Sequence, residues 1–80
     1  MNAMYVGNVY NVIFKSFSNE GNTIKCFLCV DIRVIGNETV YFFVDQYVLN
    51  DDNTCSALPE ADIISIHEDR IRSSEIVHAA

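Results

Sequence analysis

The sequence predicts an all-β fold: a small, strongly bent antiparallel sheet or a partly closed SH3-like or OB-like barrel of four to five strands. Every even residue from Ile24 to Val34 is apolar, while Lys25, Asp31 and Arg33 occupy odd positions. Successive strand side chains point to opposite faces, so alternation with period two is typical of a strand. After a Gly-Asn pair, the segment Val40–Val44 is apolar at every position. The two segments therefore predict a β-hairpin whose second strand is apolar on both faces.

Length and composition fit one small domain covering residues 1–80. Half of the residues are hydrophobic and 20% are charged, which is a globular composition. The longest apolar runs are about five residues, whereas a helix that spans a bilayer needs about 20. The chain also has no pattern of a secretory signal. We therefore expect a cytoplasmic protein that does not contact a membrane.

The amino-terminal part predicts a strand and a turn. We expect strand one over residues 4–17, which are rich in Tyr, Val, Ile and Phe, and a turn at Ser18–Asn22. If Glu20-Gly21 is the centre of the turn, three facing pairs follow: Phe17 with Ile24, Ile13 with Leu28, and Val9 with Ile32. In this register the apolar residues of strand one meet the even residues of strand two. The even face is therefore predicted to be the core.

The remaining segments predict further strands and one long loop. Strand three is expected over residues 39–49, the loop over 50–62 and a fourth strand at Ile63–His67. For residues 68–78 we favour a turn followed by a closing strand over a short helical turn. Because strand three is apolar on both faces, we expect its outer face to form a homodimer interface. The residues expected at this interface are aromatic: Tyr41, Phe42, Phe43 and Tyr47.

Negative charge is concentrated in the carboxyl-terminal part of the chain. Acidic and basic residues balance over residues 1–44, so the net charge of −6 comes from residues 45–80. This charge repels phosphate backbones, so we expect no direct binding of nucleic acid and a basic protein as the partner. The residues expected to contact that partner form an acidic rim: Asp51, Asp52, Glu60, Asp62, Glu68 and Asp69.

The sequence predicts no catalytic, cofactor-binding or metal-binding residue, and we do not expect an enzyme. Three cysteines without a secretory signal predict free thiols. Cys26 and Cys29 have the spacing of a metal knuckle, but residues three apart on a strand face opposite sides. The loop that begins at Asp51 lacks the Gly and Glu positions of an EF-hand. His67 and His78 match no motif that links them to a cysteine.

Three functional hypotheses follow from these observations. The leading one is a non-enzymatic acidic protein-interaction module, with an inhibitor or immunity-type protein that occludes a basic, nucleic-acid-binding surface as one concrete form. The second is a structural subunit that assembles through an apolar strand face. The third is a small ligand-binding barrel, which would need an aromatic pocket or a basic stripe.

Overall fold

The computed structural model describes residues 3–80, and it confirms the predicted β-rich fold. The strands, in chain order, are β1 (Val9–Lys15), β2 (Asn22–Ile35), β3 (Glu38–Val44), β4 (Tyr47–Leu49), β5 (Cys55–Ala57), β6 (Ile64–His67) and β7 (Ile71–His78). A 3-10 turn, Glu68–Arg70, connects β6 to β7. Five strands form an antiparallel sheet in the order β6-β3-β2-β1-β7, and β4 pairs with β5 in a separate hairpin. The main sheet is bent and open between β6 and β7.

The bend in the sheet comes from the long strand β2. Its first half, Asn22–Leu28, pairs with β1, and its second half, Leu28–Ile35, pairs with β3. The two halves are separated by a β-bulge, because Val30 is an extra residue between the pairs made by Cys29 and Asp31. A bulge increases the local twist and bend of a strand. β2 therefore carries β1 and β3 on two differently oriented parts of one sheet.

The bulge makes the predicted core face wrong for the first half of β2. Before Val30 the residues in the main core are odd, Phe27 and Cys29, and after it the even residue Ile32 packs there. Ile24, an even residue that was expected in the core, is 68% exposed. One extra residue inverts the alternation of a strand, and the sequence shows no sign of it because Val30 is itself apolar.

The predicted register between the first two strands is also wrong. Val9 pairs with Leu28 and Ile13 pairs with Ile24, which is a shift of four residues. β1 ends at Lys15, and the connection to β2 closes with a hydrogen bond from Ser16 N to Gly21 O at 3.0 Å. Phe17 lies beyond the end of β1, and its ring packs against a guanidinium from the distant 3-10 turn, a contact that local turn patterns do not predict.

The turn between β2 and β3 is a two-residue hairpin loop. Ile35 pairs with Glu38, and Gly36 between them has a φ of 65°. A positive φ at the first loop residue followed by a negative φ is characteristic of a type II′ turn, which favours Gly at this position. Gly36 therefore permits the two-residue loop, because glycine adopts this positive φ without strain.

Strand three and the long loop differ from the prediction. β3 ends at Val44, and the chain continues after Asp45-Gln46 as β4. Part of the expected loop, Cys55–Ala57, is a strand that pairs with β4. The closing strand expected in residues 68–78 is confirmed, because β7 pairs with β1 after the 3-10 turn.

Two hydrophobic clusters lie on opposite sides of the sheet. The main cluster includes Phe27 and Phe43, whose rings stack with centroids 4.9 Å apart. The second cluster centres on Leu28, which pairs with both Val9 and Val44. Four partly buried side chains pack against this second cluster, one from β2 and three from the β4–β5 hairpin and the connection that follows it: Val30, Tyr47, Cys55 and Ala61.

Candidate functional site

Two of the four aromatic residues expected at an interface face the core of this chain. Tyr41 is 6% exposed and Phe43 is fully buried, so within this chain their rings pack in the core and offer little surface to a partner. Phe42 is half-buried beneath the guanidinium of Arg33, which lies 5.4 Å from its ring centroid. Tyr47 is also half-buried, and its Oη lies 3.2 Å from Cys26 Sγ. β3 therefore does not present a continuous apolar face.

The chain itself covers both faces of β3. On one face, Tyr41 and Phe43 pack with Ile66 in the main cluster. On the other face, Val44 is covered through the second cluster by the β4–β5 hairpin. The sequence could not reveal this cover, because the hairpin lies in a segment whose Asn, Asp and Ser residues are typical of a loop. Most of the apolar surface of β3 that suggested a second chain is thus covered within the protein, whereas Phe42 stays only half-buried.

The six residues of the predicted acidic rim are all exposed, but they lie in three groups. Asp51 and Asp52 form the tip of the β4–β5 hairpin. Glu60 and Asp62 lie between β5 and β6, and the third group belongs to the 3-10 turn: Glu68 and Asp69.

The hairpin tip has a defined geometry. Asn50 N donates to Thr54 O at 2.8 Å, and Asn53 N donates to Asn50 O at 3.1 Å. Asn53 has a φ of 72°, in the left-handed region that Asn tolerates better than most residues. These features define a three-residue hairpin loop that ends in a left-handed residue. Asp51 and Asp52 are held at the apex of this loop.

The two carboxylates of the tip have different environments. Oδ1 of Asp52 accepts hydrogen bonds from the hydroxyl of Thr54 at 2.6 Å and from its amide at 3.1 Å. These hydrogen bonds favour the ionised form and lower the pKa of Asp52 below its ordinary value. Asp51 makes no side-chain hydrogen bond within residues 3–80. Asp52 therefore maintains the loop, whereas Asp51 is available to a partner.

The second acidic group is positioned by a turn. Leu58 N donates to Gln46 O and Ala61 N donates to Leu58 O, both at 3.0 Å. Pro59 occupies the second position of this turn, where its fixed φ is favourable. Ala61 packs against the second hydrophobic cluster, which leaves Glu60 on the solvent side of the turn.

The third acidic group borders an open recess of about 250 Å³ at the amino-terminal end of β3. In this recess Nδ1 of His67 lies 2.9 Å from Oε2 of Glu38. The lining residues are Asn37, Glu38, Thr39, His67, Glu68 and Asp69. Negative charge predominates here.

The hairpin tip and the 3-10 turn lie at opposite ends of β7. The turn leads directly into Ile71, whereas Nε2 of His78 lies 2.9 Å from the carbonyl oxygen of Asn53 at the tip. At about 3.3 Å per residue, a strand of this length separates its ends by roughly 23 Å. The six carboxylates therefore do not form one compact rim.

The distribution of ion pairs distinguishes the acidic from the basic residues. Within residues 3–80 none of the six rim carboxylates forms a salt bridge, whereas Lys25 pairs with Asp45 at 3.6 Å and Arg33 with Asp31 at 2.8 Å. The sequence also has no Lys or Arg between Arg33 and Arg70. That interval, residues 34–69, contains these carboxylates: Glu38, Asp45, Asp51, Asp52, Glu60, Asp62, Glu68 and Asp69. We call this interval the acidic segment.

Arg70 is a residue whose role the sequence did not reveal. Its Nη2 donates to the carbonyl oxygens of Lys15 at 3.1 Å and Ser16 at 2.8 Å. Its guanidinium carbon lies 4.5 Å from the ring centroid of Phe17. Arg70 thus fastens the 3-10 turn to the end of β1, and its positive charge is not freely presented.

The cysteines have distinct environments, and all three are free thiols. Cys26 is exposed and Cys29 is buried, which confirms that they face opposite sides of β2. Burial raises the pKa of Cys29 to about 11. Among the described residues, no group of three or more His, Cys, Asp and Glu side chains is arranged to hold a metal ion. The helical part of residues 3–80 offers no segment with the length and hydrophobicity needed to cross a membrane.

Comparisons with protein-family models, with curated proteins and with solved structures returned no match for this chain. The candidate site therefore rests on its own geometry. That geometry consists of three exposed acidic groups without intramolecular ion pairs, which are carried by the hairpin, the β5–β6 connection and the 3-10 turn.

Proposed function

We propose that this chain is a non-enzymatic protein-interaction module that binds a basic surface of a partner protein. One observation carries the proposal: the acidic segment contains no Lys or Arg, and its six rim carboxylates have no ion pair within residues 3–80. Charges that are not neutralised internally create a field that extends about one Debye length into solution. Such a field attracts a cationic surface and accelerates association.

A specific form of this function is inhibition. A partner that binds nucleic acid presents a groove of Lys and Arg side chains, and an acidic protein can occupy that groove in place of phosphates. The same field would repel nucleic acid, so the module would act on the protein and not on its ligand. We place the chain in the cytoplasm as part of this proposal, because its free thiols suit a reducing compartment.

The proposal is tested by affinity capture from the native host lysate with mass spectrometry, at low and at high salt. The wild-type chain is expected to retain a basic protein at low salt and to release most of it at high salt, because salt screens exposed charges. A nuclease-treated lysate ensures that no nucleic acid bridges the two proteins. Added polyanionic DNA should displace the chain from a nucleic-acid-binding partner.

A matched pair of variants locates the effect. Asp51→Lys reverses a charge at the hairpin tip, whereas Glu20→Lys makes the same change in the exposed β1–β2 connection. We expect the first variant to reduce capture several-fold and the second to have little effect. Asp52 is unsuitable for this purpose because it maintains the loop. Equal capture by the two variants, or capture that does not depend on salt, would contradict the proposal.

The alternative of a subunit that assembles with copies of itself depends on the exposed apolar side chains. Of its expected interface residues, Phe42 and Tyr47 retain exposed surface. Light scattering of the wild type and of Phe42→Asp tests this alternative. An oligomer that does not respond to salt and that dissociates in the variant would favour assembly over binding to a basic partner.

A further inference from the structure

The β4–β5 hairpin exposes apolar side chains next to its acidic tip. Leu49 is 61% exposed and Val48 is 45% exposed, and both directly precede the loop that contains Asp51. Because consecutive strand residues point to opposite faces, the two side chains lie on opposite sides of the hairpin. Exposed large apolar residues next to a charged loop can supply the anchors that interfaces need, since charge contributes more to association rate than to affinity.

The hairpin is held in place at its base and at its tip. At the base, Tyr47 packs against the second hydrophobic cluster and its Oη contacts Cys26 Sγ, and next to the tip Cys55, the cross-strand partner of Leu49, packs against the same cluster. At the tip, the side-chain Nδ2 of Asn50 donates to Thr54 Oγ1 at 3.1 Å and to Ser56 Oγ at 2.8 Å. A segment that is ordered before binding loses less conformational entropy when it binds. The exposed side chains are thus presented from a preformed hairpin.

Charge determines what this hairpin can bind. Asp51 and Asp52 lie beside the apolar pair, and no Lys or Arg occurs in the acidic segment that contains the hairpin. A second copy that docked the same hairpin would bring like charges together, and a phosphate surface would be repelled. A cationic protein surface is complementary. The occupant that fits both properties is an apolar recess bordered by Lys or Arg side chains.

We propose that the β4–β5 hairpin is the element of this chain that enters its partner. The hairpin enters an apolar recess so that Leu49 and Val48, on its two faces, contact opposite walls of the recess, and the carboxylate of Asp51 contacts the basic side chains at its border. This inference rests on the proposed function, because it specifies where on the acidic segment the basic partner binds. The other two acidic groups then contribute to attraction at long range without forming the anchor.

The inference is tested by NMR titration of the full chain with two synthetic peptides of equal length and charge. One peptide alternates lysine with serine, and the other alternates lysine with leucine. Both should perturb amides near the acidic groups at low salt. Only the lysine–leucine peptide should also give perturbations at Val48 and Leu49 that persist at high salt, because burial of an apolar side chain is not screened.

Two variants with similarly exposed apolar residues provide the control. Leu49→Ser removes the proposed anchor, and Ile24→Ser makes the same kind of change in the first half of β2, outside the hairpin, where Ile24 is 68% exposed against 61% for Leu49. We expect Leu49→Ser to weaken binding of the lysine–leucine peptide about tenfold and Ile24→Ser to have no effect. Both substitutions replace exposed side chains, so dispersed spectra should show that both variants fold.

The possible failures are distinguishable. If both peptides bind but Leu49→Ser and Ile24→Ser behave alike, the hairpin is not the anchor, and the inference is overturned while the proposed function stands. If neither peptide binds at low salt, the proposed function fails together with the inference.

Discussion

At the scale of single residues, Asp52 shows how an exposed carboxylate can serve the fold. Its hydrogen bonds with Thr54 lower its pKa from the ordinary value of 3.8. A group whose pKa is lower in the folded state contributes stability above the unfolded pKa, and this stability is lost as the pH falls through the folded pKa. The hairpin tip is therefore expected to loosen in strong acid.

This pH dependence can be followed at the amide of Thr54, which donates to Asp52. Its chemical shift should titrate with a midpoint below 3.8. In Thr54→Val, which lacks the hydroxyl donor but keeps the amide, the midpoint should move back toward the ordinary value. A midpoint at or above 3.8 in the wild type would show that the hydrogen bonds do not form in solution.

The cysteines allow a second prediction at this scale. The nucleophile in alkylation is the thiolate, and burial both shields Cys29 and raises its pKa to about 11. Cys26 is exposed on the opposite face. We expect mildly alkaline iodoacetamide to modify Cys26 rapidly and Cys29 only after unfolding, as measured by peptide mass spectrometry. Comparable rates for the two thiols in the folded protein would contradict their assignment to opposite faces.

At the scale of elements, the connection between β1 and β2 is held by Arg70 as well as by its own turn residues. The guanidinium of Arg70 spans two carbonyl oxygens and the ring of Phe17. A lysine has the same charge but cannot reproduce this planar geometry. Arg70→Lys is therefore expected to lower the free energy of unfolding by about 1–3 kcal/mol, as measured by urea denaturation.

Arg72 provides the control for this prediction. It donates to the carbonyl oxygen of Asp69 alone and is exposed. Arg72→Lys should change the free energy of unfolding by less than about 0.5 kcal/mol, as is usual for surface substitutions. Similar effects of the two substitutions would mean that the contacts of Arg70 contribute little.

Most strands and the pairing of the first three could be predicted from the sequence, but the short strands β4 and β5, the register of β1 with β2 and the face that β2 buries could not. The alternation of β2 predicted a strand correctly, whereas the bulge at Val30 inverted the face, since only the pairing with β3 identifies the extra residue. The predicted register was wrong because β1 ends at Lys15, and Phe17, expected to pair with Ile24, instead contacts Arg70, which lies far along the chain. Local sequence patterns predict neither the pairing that identifies the bulge nor the contact between Phe17 and Arg70.

Two even residues of β2 test where along this strand the even face is covered. Leu28 is 2% exposed beneath the β4–β5 hairpin, and Ile24 is exposed on the same strand. Leu28→Ala should lower the free energy of unfolding by about 2–4 kcal/mol, and Ile24→Ala by less than about 0.5 kcal/mol. Equal losses in urea denaturation would instead support one continuous even-numbered core face.

At the scale of the whole molecule, most basic side chains bind groups of the same chain, whereas the rim carboxylates face solvent without an ion pair in residues 3–80. Four of the five basic residues bind within the chain, two to carboxylates and two to carbonyl oxygens: Lys25, Arg33, Arg70 and Arg72. The rim carboxylates have no such partners in residues 3–80. The sequence predicted that these carboxylates would be exposed. Their division into three groups depends on the hairpin and on β7, which local patterns did not place.

The central claim is that the acidic segment recruits a basic protein. The most direct measurement is the association rate constant of the captured partner with immobilised wild-type chain, Asp51→Lys and Glu20→Lys over a range of salt concentrations. If charge recruits the partner, the wild-type rate constant falls about tenfold or more from low to high salt. At low salt, Asp51→Lys alone has a lower rate constant. A rate constant that is independent of salt and equal in all three proteins would mean that the acidic segment does not recruit the partner.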